Sequence, residues 1–201
     1  MFPKTFIFIG RSGCGKGTQA KILHQRLSER DAKGRPIIYL ETGARFREFI
    51  KRLGYSNRLA AQIAATGQRQ PDFLAVWNWA HVLIEEMKGD EHLIVDGMPR
   101  SRDEALVFDS AITFYKREKP TVIYLDVSRE WSYSHLKSRA HKEARADDVE
   151  ELIQRRLSWF DTDVYPVVTY LRNHPGYQFL HINGEQGIDD VAKAIVSGLN
   201  W

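Results

Sequence analysis

Short apolar runs recur along the chain at Thr5–Ile9, Pro36–Leu40, His92–Val95, Thr121–Val127 and Tyr177–Ile182, and the stretches between them carry helical spacing. Runs of that length, separated by helices, predict five parallel strands covered on both faces, a three-layer α/β/α arrangement. Two helix-rich excursions break the alternation, one at about 42–71 and a shorter one at about 137–148, and both are candidates for flaps over a site. From Asp147 the segment "DDVEELIQRRLSWF" predicts a helix with an acidic first turn and a capping box between Asp147 and Glu150. Its apolar face comprises Val149, Leu152, Ile153, Leu157 and Phe160. At ~100° per residue Arg156 falls within that face while Arg155 turns away. A guanidinium there needs an anion, either a structural carboxylate or a bound phosphate. Trp77 and Trp79 lie on opposite strips of another helical run and are expected to pack.

The bulk composition narrows the class. The chain has 201 residues, 43% hydrophobic and 27% charged, which suits one soluble domain with insertions. Its net charge of +3 is spread without a block of like charges, which argues against a nucleic-acid partner and for local anion sites. Cys14 is the only cysteine, so neither an intrachain disulfide nor a four-cysteine zinc site can form. His81, His141 and His174 have no metal-ligand spacing. No apolar run approaches the ~18 residues that span a bilayer, and the first leads into a glycine loop rather than a cleavage site. A cytoplasmic location without membrane association is the expectation.

Ligands of such sheets bind beyond the carboxyl ends of the strands, and the first three predicted strands lead into "GRSGCGKGT", "ETGARFR" and "DGMPR". Gly10, Gly15 and Lys16 match G-x-x-x-x-G-K between a strand and a helix, the context of a phosphate-cradling loop. Glycines let successive N–H groups turn inward, the helix start adds its positive dipole end, and Lys16 can reach the outer phosphates. Position 17, however, is glycine where the general motif has a Mg²⁺-ligating hydroxyl, and Thr18 follows it.

"GKGT" is similar to the loop of the adenylate kinase family, nucleoside monophosphate kinases with the pattern G-x-P-G-x-G-K-G-T; Ser12 stands here for the proline. The resemblance covers nearly the whole chain. It implies a P-loop α/β fold of one domain, with the 42–71 excursion as the monophosphate-binding insertion and 137–148 as a short lid. Residues Gly10, Ser12, Gly13, Cys14, Gly15, Lys16, Gly17 and Thr18 would hold ATP. Mg²⁺ would be held mainly by nucleotide phosphates and waters, with Asp96 orienting the waters. "ETGARFREF" resembles T-G-x-x-x-R and "DGMPRSRDEA" resembles D-G-F-P-R-x-x-x-Q. On the acceptor side this implies Thr42, Gly43, Arg47, Gly97 and Arg100 around the monophosphate, and Gln68, Arg69 and Gln70 of "ATGQRQPD" beside its base. Arg139, Arg145 and Arg156 would converge on the transferring group. Late in the chain, "INGEQGIDDV" resembles the segment whose backbone, near Gln186, contacts the donor base.

Four departures matter. Glu104 replaces the base-reading glutamine; a carboxylate only accepts, so it suits guanine's two donors or adenine's amine alone, unless it points to solvent. Arg69 and Gln70 stand at positions that are usually apolar, His135 stands where an arginine packs on the donor base, and Gly187 replaces a proline. The resemblance implies an ATP- and Mg²⁺-dependent, zinc-free, monomeric enzyme that converts ATP and AMP to two ADP. GMP or a deoxynucleotide as acceptor, and a binding protein that has lost turnover, remain alternatives.

Overall fold

All six residues of β1 (Thr5–Gly10) are buried, as a strand covered on both faces must be. Ile7 and Ile9 enter one apolar core, Phe6 and Phe8 the other, following the period-two alternation of a strand. In the computed structural model, which describes residues 2–143 and 149–199 with 141–143 as backbone alone, β1 is the middle of a five-stranded parallel sheet. The remaining strands are β2 (Ile37–Glu41), β3 (His92–Asp96), β4 (Thr121–Asp126) and β5 (Gln178–Asn183), in the order β2-β3-β1-β4-β5. Each lies within two residues of its expected boundary.

The helices are α1 (Lys16–Arg30), α2 (Thr42–Phe49), α3 (Tyr55–Ala65), α4 (Asp72–Glu86), α5 (Arg102–Phe114), α6 (Arg129–Glu143), α7 (Glu150–Trp159), α8 (Tyr165–Asn173) and α9 (Ile188–Gly198). Helices α1 and α9 cover the face holding Phe6 and Phe8, while α4, α5 and α8 cover the other. Trp79 lies in that second core, edge-on to Phe108, while Trp77 is half-exposed against His81. The strand order reverses direction at β1, whose neighbours are β3 and β4. A crevice therefore opens beyond its carboxyl end. Registers Phe8↔Asp96 and Glu41↔Asp96 bring the ends of three strands to its rim.

Two expectations near the carboxyl half change. Residues 137–143 continue α6 as helix, and 144–148 lie outside the described residues. Helix α7 starts at Glu150 with exposed Val149 as its extended N-cap residue and no side-chain cap from it; Asp147, the expected capping-box partner, lies outside the described residues. Glu150 and Glu151 in its first turn complement the helix dipole instead. After α7 the chain makes a π-helical turn, Phe160–Val164, with Tyr165 N–H bonded to Phe160 O. No helix among the described residues is long and apolar enough to cross a membrane.

Candidate active site

The loop between β1 and α1 is shaped by its glycines. A β-carbon on Gly10 would stand 2.5 Å from Leu125 O and 2.8 Å from Cys14 Sγ, so only glycine lets the loop leave the sheet here. Gly15, at φ 90°, turns the chain into the first N–H groups of α1. Lys16 Nζ donates to Gly10 O at 2.9 Å and Arg11 O at 2.8 Å, bracing the loop across its own mouth. Burial pushes the Cys14 thiol pKa up, with Lys16 opposing.

Position 17 faces a carboxylate. Asp96 Oδ2 lies 3.3 Å from the point that a β-carbon on Gly17 would occupy, and it accepts a hydrogen bond from Tyr39 OH at 3.0 Å. Burial raises the Asp96 pKa, while Lys16 and the tyrosine hydrogen bond oppose the rise. Among the described residues no three His, Cys, Asp or Glu side chains converge as a metal cage. This donor set, one strand-end carboxylate beside an anion loop, fits a cation held chiefly by phosphates and water.

Across the crevice stand the residues expected on the acceptor side. Arg47 Nη2 pairs with Glu41 Oε1 at 3.0 Å, and both line the cleft with Gly43. Thr42 is buried behind them, its hydroxyl 3.3 Å from Asp96 O and 3.2 Å from Gly97 O. Arg100 Nε donates to Gly97 O and its Nη2 to Thr42 Oγ1 at 3.3 Å, which locks the guanidinium at the cleft wall. Burial depresses its pKa and Glu104 opposes.

The loop after α3 carries Gln68, Arg69 and Gln70, all lining the same cleft. Arg69 bonds Asp72 at 2.5 Å and approaches Asp163 at 3.4 Å, and Gln70 Nε2 donates to Ala60 O at 2.8 Å. That loop is fastened to α7 as well. Arg155 reaches back to Thr66 O at 2.8 Å and Trp159 Nε1 donates to Gly67 O at 3.3 Å. With Asp163 these residues form one strip at four-residue spacing.

Glu104 departs from its expected role. It is 2% exposed and does not line the cleft. Its Oε1 accepts from Trp79 Nε1 at 3.1 Å and its Oε2 from Arg100 N–H at 2.5 Å. The base-facing placement expected from the family pattern is corrected accordingly: helix α5 begins at Arg102, and its first turn aims residue 104 into the core beneath Trp79.

Arg139 and Arg156 line the cleft from the α6 and α7 side; Arg145 lies outside the described residues. His135 stacks on Trp131 with ring centroids 3.4 Å apart and planes at 17°, its Nδ1 2.9 Å from Trp131 O. Because a carbonyl only accepts, Nδ1 carries the proton there. Gln186 lines the far wall, its Nε2 donating to Asn183 O at 3.0 Å. Gly187 holds φ −60° and ψ 149°, a conformation that proline also adopts, so its replacement leaves the local path intact.

The crevice thus brings together Gly10, Ser12, Gly13, Cys14, Gly15, Lys16, Gly17 and Thr18 with Asp96, Gly97 and the acceptor, lid and far-wall side chains in one cleft of about 1050 Å³. Thr42 and Glu104 stand behind its wall. Sequence reasoning missed Tyr39, Glu41 and Trp131. Trp131 could have been found from its four-residue spacing to His135 on a helix, whereas Tyr39 meets Asp96 only through strand pairing.

A family model described as "Adenylate kinase" matches residues 8–175. The chain is similar to adenylate kinase 1 of Nostoc sp., at 29% identity over 96% of this chain and 97% of that protein. It is similar to an adenylate kinase of Bacteroides fragilis, at 32% identity over 94% and 96%, respectively. Adenylate kinase isoenzyme 1 of Caenorhabditis elegans is 26% identical over 97% of this chain and 87% of its own length.

Proposed function

Because the chain belongs to the adenylate kinase family, and is therefore a nucleoside monophosphate kinase, we propose that it transfers the γ-phosphoryl group of ATP to AMP, giving two ADP. One observation carries the reading: the glycine loop with Lys16 and the acceptor arginines Arg47 and Arg100 face one another across a single cleft. Two phosphorylated ligands fit that distribution of cations better than one.

In this reading an AMP phosphate oxygen attacks the γ-phosphorus while the bond to the β,γ-bridging oxygen breaks, and ADP leaves with that electron pair. No general base is required, because the acceptor phosphate is already ionised at neutral pH. Lys16 turns from the carbonyls of Gly10 and Arg11 to the donor phosphates, with the α1 N–H groups behind it. Arg47 and Arg100 orient the acceptor through paired N–H donors. Arg139 and Arg156, with Arg145, neutralise charge on the transferring group, a role that can be worth ~10³-fold or more. Mg²⁺, when bound with ATP, shields phosphate oxygens from one another. Asp96 would hold its waters, with Tyr39 fixing the carboxylate.

AMP is favoured as acceptor by the family membership, and Glu104 lends guanine no support because both of its oxygens are engaged inside the fold. The insertion role of 42–71 and the lid role of 137–148 belong to the same proposal: Phe46, Arg47 and Ala64 border the cleft on one side and Ser138 and Arg139 on the other. The protein is expected to act as a cytoplasmic monomer. A coupled assay presenting AMP, GMP, CMP and UMP in turn with ATP and Mg²⁺ tests the reading. AMP should show the largest kcat/KM. Efficient use of GMP without AMP would overturn the acceptor, and binding without any diphosphate product would overturn the enzyme.

A further inference from the structure

We infer that Glu104 is a positioning residue for the acceptor phosphate site: it holds the main chain of Arg100 in place and reads no base. The inference rests on the proposed acceptor site and identifies what sets its geometry.

Two N–H donors converge on Glu104. Trp79 Nε1 meets Oε1 and Arg100 N–H meets Oε2, at 3.1 and 2.5 Å. An ionised carboxylate satisfies both, because each oxygen accepts; burial raises its pKa, and the Arg100 N–H and guanidinium oppose that rise. An amide has one acceptor oxygen and an NH₂ group, so in the same rotamer it would point a donor at one of the two donors. The residue that reads a base elsewhere in the family pattern is therefore unsuited to this site, and the departure has a local cause in Trp79. Both side chains are almost fully buried, so a mismatch there would have no water to relieve it.

Arg100 is held at both ends by this arrangement. Glu104 fixes its root, while Gly97 O and Thr42 Oγ1 hold its head at the cleft. The same turn is tied to α4 a second time, through Ser101 Oγ donating to Asp72 Oδ1 at 2.7 Å. Asp72 also anchors Arg69, so the base-side loop and the phosphate-side arginine share one frame. Loosening Glu104 should thus displace the phosphate clamp, which serves every monophosphate alike.

Glu104→Gln provides the test, with Trp79→Phe as a second variant that removes the other partner. Parent and variants are compared in steady-state kinetics with AMP and GMP, and in calorimetric binding of each monophosphate without ATP. Glu104→Gln should raise KM and Kd about tenfold for AMP and GMP together, leaving their ratio within about twofold of the parent and KM for ATP unchanged. Trp79→Phe should act in the same direction with the same constant ratio. A change of tenfold or more in the AMP-to-GMP ratio would assign base reading to Glu104 and overturn the inference. Unchanged affinity for both monophosphates in a folded Glu104→Gln protein would do so too. If Glu104→Gln does not fold, Trp79→Phe carries the same two criteria. The binding arm stands apart from turnover, so a protein that binds monophosphates without converting them would sink the kinase reading while still deciding the role of Glu104.

Discussion

Asp96 and Gly17 are in such close approach that a β-carbon at position 17 would stand 3.3 Å from Asp96 Oδ2. A serine there, the residue that other phosphate loops use for Mg²⁺, would press its side chain against the carboxylate that Tyr39 holds. Gly17→Ser should change the melting temperature by only a few degrees, because the better helix propensity of serine offsets part of the crowding against Asp96. The same change should lower kcat/KM for Mg-ATP about tenfold or more, since small misplacements at reacting groups are costly. Thermal melts and a Mg²⁺ titration of the rate check both halves; an unaltered Mg²⁺ dependence would dissociate Asp96 from the metal.

Lys16 spends its charge on two loop carbonyls in the structure, both within reach of the proposed donor phosphates. Lys16→Met should fold, as circular dichroism would show, and lose about 10²- to 10³-fold in kcat. Turnover at the parent rate would remove the glycine loop from the mechanism.

Glu41 occupies Arg47 with an ion pair of 3.0 Å at the cleft wall. An incoming phosphate must displace that carboxylate before it takes the arginine. Glu41→Gln should therefore lower KM for the monophosphate, by up to about fivefold given the worth of a partly exposed pair. The gain should shrink at high salt. A raised KM would show that Glu41 orients Arg47 for the phosphate instead of competing with it.

Acid should destabilise the protein through His92, at the opposite end of β3 from the cleft. His92 is fully buried; its Nδ1 accepts from Lys4 N–H at 2.9 Å and its Nε2 faces Asp31 Oδ2 at 3.4 Å. Burial holds its pKa below the ordinary 6.5, with Asp31 opposing and Arg35 and Arg117 assisting. A base with a depressed folded pKa contributes stability above its unfolded pKa and loses it as pH falls. Asp31, held low first by the Arg35 N–H and also by its guanidinium, adds a second loss further into acid, below about pH 4. Melting temperature should fall from about pH 7 to about pH 5, and His92→Asn should flatten that stretch. A parent curve that is level there would contradict the assignment.

The sheet was legible because its information is local. Buried strands need unbroken apolar runs, helices need their own period, and Gly10, Gly15 and Lys16 mark the turn between them. The family resemblance extended this to the residues meeting in the crevice. Helix α7 was placed within a few residues, but not its π-helical end, which no spacing rule forecasts. Glu104 shows where pattern reading stops. Its position after "DGMPR" was read from the family motif, while its direction depended on Trp79, 25 residues away on another helix.

From the order of residues alone came the five-stranded parallel architecture and the glycine turn with its lysine, because strand burial, helical period and glycine turns depend on neighbours along the chain; the arginines expected around that turn came from the family resemblance. Folding decided which charges meet: Arg47 with Glu41, Tyr39 with Asp96, and Glu104 with Trp79 and Arg100. Those pairings join separate elements, and a hydrogen bond is governed by distance and angle in space, which sequence separation does not encode.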